Sequence, residues 1–262
     1  MTQQVKKPAP PTLPSPPPTE PGDQELRMSI LDHLNELRSR AVKTAIAVAI
    51  GFFIGMLVAP QVLDILRQPY GADNQFIALG PTDSVVSFFR VALMVGGILA
   101  IPVITYQVLM FILPGLTDKE RRYLLTALPA IFALFIIGVL FTWILLIPPA
   151  IGFFDNFMPD LFNPQWTAER YLGFVTALLF WMGVAFEPPL IFFVLSLLGL
   201  VQATVLLKNW RVAIVGSAVA AAMITPTIDP VNMMLVMGPL LTLYLLSIGL
   251  VVVGRRLARL TD

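Results

Sequence analysis

The chain has 262 residues, of which 57% are hydrophobic and only 13% charged, with a formal net charge of +1. A soluble domain carries about 25% charged residues, so most of this surface must face something other than water; the near-neutral balance excludes a nucleic-acid-binding face, which needs concentrated basic residues. With no cysteine and one histidine, His33, disulfides, thiolate ligands, cysteine nucleophiles and histidine metal clusters are excluded, and neither metal nor cofactor is expected.

Residues 8–21 contain eight prolines in fourteen positions, which predicts an extended or disordered tail over residues 1–28 with no apolar core of a signal peptide. From Ser29 to Lys43 the pattern becomes helical. Ile30, Leu31, Leu34, Leu37 and Ala41 share one face, while His33, Asn35, Glu36, Arg40 and Lys43 lie elsewhere. Ser29 with Asp32 three residues on reads as a capping box at the start of an interfacial helix.

The fold class expected from there on is all-α. A polytopic membrane domain over residues 29–254 should carry six transmembrane helices, near 42–60, 85–113, 123–147, 172–198, 211–224 and 231–253. The fifth and sixth spans are expected to be short. At 1.5 Å per residue the fifth reaches roughly 21 Å, well under the ~30 Å hydrocarbon thickness. Residues 255–262 form a short basic tail. Under the positive-inside rule, placing both termini in the cytoplasm puts 14 of the 17 Lys and Arg residues on that side, with every inner loop contributing. Arg67 and Arg170 are left outside, and Arg90 is expected to snorkel to the outer interface.

Few residues could carry chemistry. Glu36 has Arg40 at i+4 and could be a simple surface pair. Glu120 lies three residues after Thr117, so capping the third span's helix is its default role. Glu187 stands in the fourth span within Ala-Phe-Glu-Pro-Pro, residues 185–189. An ionisable side chain there is costly and ordinarily faces a bundle interior or a polar cavity. Gln107, at similar depth, is its expected partner. Asp229, in Thr-Pro-Thr-Ile-Asp-Pro, reads as a turn residue. No span contains a His that could activate a Ser or Thr hydroxyl, and paired aspartates are absent, which disfavours an intramembrane protease. A proton-coupled solute transporter using Glu187 is the alternative reading.

Several short segments, taken in order, resemble one family. They are His33-Leu34-Asn35-Glu36-Leu37-Arg38 with Arg40, Pro102-Val-Ile-Thr-Tyr-Gln107, Phe111-Ile-Leu-Pro114-Gly-Leu116 leading to Glu120-Arg121-Arg122, Phe186-Glu187-Pro188-Pro189, and Thr225-Pro226. Together, over residues 29–253, they resemble TatC, the multispanning core of the twin-arginine (Sec-independent) protein translocase. The resemblance implies a non-enzymatic receptor in the bacterial cytoplasmic membrane, in which Glu36 and Glu120 receive the twin arginines of a folded cargo's signal peptide. His33, Arg38, Phe111 and Leu116 would support that site. Glu187 and Gln107 would form an intramembrane polar site, and Met223 and Thr225 a surface for a partner helix. The implied partners are the single-span TatA and TatB proteins, signal peptides and membrane lipids, with the proton-motive force as energy source; self-association is left open. The sequence departs from the family at Met233, where a glutamine commonly follows the aspartate by four positions.

Overall fold

The computed structural model describes residues 21–71, 75–112, 118–161, 164–227 and 229–261; the side chains of 21–32, 112, 118–121, 123–124 and 258–261 lie outside that description. The chain forms two units, Met1–Ser39 and Arg40–Asp262. In the first, the described residues are helical. Leu34, Leu37 and Arg38 are exposed there and Glu36 is half-buried. Helix α1 runs without a break over Pro21–Arg67. Residues 21–28, expected in the tail, are therefore helical, and Ser29 falls inside the helix rather than capping its start. Nothing between Ser29 and Lys43 interrupts helix formation, since the stretch contains neither Gly nor Pro.

In the second unit, α2 (Asp83–Ile112), α3 (Asp118–Phe141) and α5 (Ala168–Ala185) pack side by side, and α6 (Pro188–Leu197) packs on α9 (Pro230–Thr261). The core is centred on α2 and α5, where Val91, Ala92, Tyr171, Leu172, Val175, Leu178 and Met182 are all buried. Among the described residues, five helical stretches are long and apolar enough to cross a membrane: His33–Tyr70, Asp83–Phe111, Leu125–Asp155, Ala168–Leu197 and Pro230–Leu257. After the six-residue α7 (Ala203–Lys208), a sixth, shorter apolar helix, α8, covers Trp210–Ile224. Leu57, Ile144, Val215, Met234 and Leu245 point outward, as helices solvated by lipid require.

The fifth span is short, with 15 residues, as expected. The sixth is not, because α9 continues for 32 residues. Pro239 lies inside α9 without ending it, and the segment Gly254-Arg255-Arg256 carries the helix beyond its apolar stretch. Arg255 fastens that end by donating to the Gly199 and Val201 carbonyl oxygens at 2.8 and 3.1 Å.

Paired prolines shape two spans. Pro148 and Pro149 lack the N–H groups that would bond Ile144 and Leu145, and the preceding ladder widens into a π-helical turn over Thr142–Leu146 before α4 (Ile147–Asp155). Pro188 and Pro189 act more strongly. They interrupt the fourth span between α5 and α6, leaving Phe186 and Glu187 at the break.

Asp229 is more than a turn residue. Its Oδ1 accepts from the Asn232 backbone N–H at 2.7 Å, with Pro230 at the first helical position, so it is the N-cap of α9. Burial alone would raise its pKa, but the hydrogen bonds it accepts, chiefly from the Asn232 backbone N–H, outweigh that and hold it below the usual aspartate value. A lowered folded-state pKa means stability present above the unfolded value and lost as pH falls through the folded one. Asp229→Asn keeps the cap oxygen and loses only the charge, so it is expected to lower stability at neutral pH by about 0.3–1 kcal/mol. In thermal unfolding of the detergent-solubilised protein, the gap from wild type should close only below about pH 4.

Candidate functional site

Glu187 sits at the break between α5 and α6 and is 6% exposed. Its two carboxylate oxygens share the Thr105 hydroxyl of α2, each at 3.2 Å. The proline pair explains the placement. Without it the fourth span would continue as one helix, and the carboxylate would have no kink to occupy.

Gln107 is also buried, but it meets a different neighbour: its Oε1 accepts from the Arg40 guanidinium of α1 at 3.2 Å. The expected Glu187–Gln107 partnership is thus replaced by Glu187–Thr105 and Arg40–Gln107. Two positions along a helix turn the side chain by roughly 200°, so Thr105 and Gln107 look out on different elements. Replacing Thr105 by valine should strip the carboxylate of this donor and cost about 1–3 kcal/mol, whereas serine should restore it. Thermal unfolding of the three proteins checks this.

Thr105 was not singled out by the sequence reading. A threonine within an apolar span is ordinary, and only its nearness to Glu187, 82 positions away, marks it. The same holds for Tyr171, fully buried, whose hydroxyl donates to the Leu66 carbonyl oxygen at 2.8 Å. Its ring packs against Tyr70, Phe76 and Trp166 and ties the end of α1 to the start of α5.

The residues expected to bind a signal peptide occupy both units. His33 and Arg38 are exposed on α1 and Glu36 is half-buried. Phe111 lies half-buried at the end of α2. Glu120 belongs to the first turn of α3, where the helix dipole favours an acidic side chain, but its side chain and the Thr117 cap lie outside the described residues, as does Leu116. Of the expected partner-helix residues, Met223 is 80% exposed on α8, while Thr225 is buried and donates to the Ala221 carbonyl oxygen at 2.8 Å. Thr225 therefore faces inward. Among the described residues no cluster of His, Asp and Glu could hold a metal ion.

The family model for the Sec-independent protein translocase protein TatC matches residues 32–239. This chain belongs to the TatC family. A TatC protein of Synechocystis sp. is 37% identical over 231 residues, covering 87% of this chain and 89% of the relative. The chloroplastic TATC of Oryza sativa subsp. japonica is 37% identical over 226 residues, and the alignment spans 86% of this chain but 62% of the longer rice protein. A crystal structure described as the twin arginine translocase receptor TatC is similar at a TM-score of 0.75 with 34% identity, covering 85% of this chain and 99% of that one. The all-α polytopic fold is thus the TatC fold, and the chain is a membrane component of Sec-independent protein transport.

Proposed function

We propose that this TatC-family chain is the membrane receptor and core subunit that binds twin-arginine signal peptides of folded proteins. It passes their cargo across a bacterial cytoplasmic membrane with the proton-motive force, both of its termini being cytoplasmic. The observation that carries this reading is the likeness, over 99% of its length, to a structure described as the twin arginine translocase receptor.

The chemistry of Glu36 and Glu120 supports it. A guanidinium is permanently charged and presents a fixed fork of donors, for which carboxylates are the natural acceptors. Lysine, a point charge without the fork, fits less well. The cationic inner loops support the orientation. TatA and TatB would be the single-span partners, and the outward Met223 of α8 suits contact with a partner helix. Glu187, with Thr105 rather than Gln107, would be the intramembrane polar site.

Export of a folded twin-arginine reporter, in cells with and without this protein, tests the reading. Unchanged export without it removes the receptor role. If Glu187→Ala leaves export intact, the buried carboxylate serves the kink alone.

A further inference from the structure

Arg90 does not snorkel freely. It lies two turns into α2 and is held against the first turn of α5, its Nη1 donating to the Glu169 carbonyl oxygen at 2.7 Å. Its Nη2 stands 4.0 Å from the Glu169 carboxylate, an ion pair too long for a hydrogen bond. Gly173 makes the room, because a Cβ there would stand 2.5 Å from Arg90 Nη1. The guanidinium has five N–H donors, and these contacts leave some for a further acceptor.

That acceptor would sit in a cavity of about 1090 Å³. Its charged lining is Arg90, Arg170 and Glu169, two cations against one carboxylate, with Trp166 beside them. Away from that mouth the lining turns apolar, through Leu93 and Trp181 to Ile104. Leu93 and Trp181 are each about half exposed, so the cavity opens sideways to lipid. Arg90 and Ile104 are fourteen positions apart on one helix, roughly 21 Å. Half of a bilayer measured with its headgroup regions is about the same, roughly 20–22 Å.

We propose that this cavity holds one phospholipid, its anionic phosphate headgroup at Arg90 and Arg170 and an acyl chain lying along α2 to Ile104. A paired guanidinium site suits phosphate, and Trp166 beside it suits the level at which headgroup and chain meet. A free anion would satisfy the arginines but leave the apolar wall unfilled.

The test uses the intact protein reconstituted in phosphatidylcholine vesicles with a rising fraction of phosphatidylglycerol, one or other lipid carrying brominated chains. Brominated phosphatidylglycerol should quench the emission that Trp181→Phe removes at a several-fold lower mole fraction than brominated phosphatidylcholine. Arg90→Gln with Arg170→Gln should move the first curve onto the second. Arg170→Gln alone, at an exposed position that leaves the Arg90–Glu169 tie in place, should move it part of the way. Superimposable curves for the two lipids in the unaltered protein overturn the proposal, as does a phosphatidylglycerol curve indifferent to Arg170→Gln. Excess inorganic phosphate should change nothing. If it relieves the quenching, the arginines take a free anion and the lipid assignment fails.

Discussion

Replacing Glu36 or Glu120 by glutamine is expected to weaken binding of a twin-arginine signal peptide by about 10- to 150-fold for each substitution, the equivalent of losing one charge-assisted hydrogen bond of about 1.5–3 kcal/mol. Glutamine keeps the size and one carbonyl acceptor but not the charge, so the change isolates the electrostatic part of the interaction. Glu36 is half-buried, where a charge-assisted bond is weakened less by water than at a fully exposed position. Fluorescence anisotropy of a labelled signal peptide on the reconstituted protein measures the effect, with a twin-lysine peptide as the comparison. Twin-lysine binding equal to twin-arginine binding would sink the recognition mechanism, whatever the substitutions do.

The second large effect concerns the crossing of α1 and α2. A Cβ on Gly96 would stand 2.5 Å from the Phe52 backbone nitrogen and 2.7 Å from the Gly51 carbonyl carbon. One on Gly55 would strike the Ala92 carbonyl oxygen. The obstacles are backbone atoms, which cannot swing aside as a side chain can. Close approach of this kind needs small residues, and in lipid the packing it permits is a main source of helix association. Gly96→Ala is therefore expected to destabilise by about 1–3 kcal/mol, and Gly96→Leu to prevent accumulation of folded protein. Gly216 supplies the control, because nothing lies within 4 Å of a Cβ placed there. Alanine at that helical position should stabilise by about 0.5–1 kcal/mol. Opposite signs for two glycine-to-alanine changes, read by thermal unfolding, distinguish backbone contact from helix propensity; a shared sign would contradict the close crossing.

Much of the fold was legible in the sequence because lipid imposes a simple rule: a chain crossing it must be helical, apolar and about 20 residues long. The expected spans near 85–113, 172–198 and 211–224 lie within a few residues of α2, of α5 with α6, and of α8. Where the reading slipped, at the start of α1 and the length of α9, the apolar stretch ended but the helix did not. Hydropathy reports what touches lipid, whereas helix length depends on where backbone bonding stops. The proline pairs carried reliable local information, since a missing N–H has the same consequence in any surroundings.

The short motifs resembled TatC; by itself, the sequence determined that this chain is a helical membrane protein with one carboxylate set into a proline-broken span. It did so because composition, spacing and backbone chemistry are local properties. Only the tertiary structure decided that Glu187 meets Thr105, that Gln107 meets Arg40, and that Arg90 docks in the notch at Gly173. A helical period tells which residues share a face of their own helix. Which neighbouring helix meets that face depends on how close the backbones can come, and at the α1–α2 crossing that distance is set by glycines on both partners.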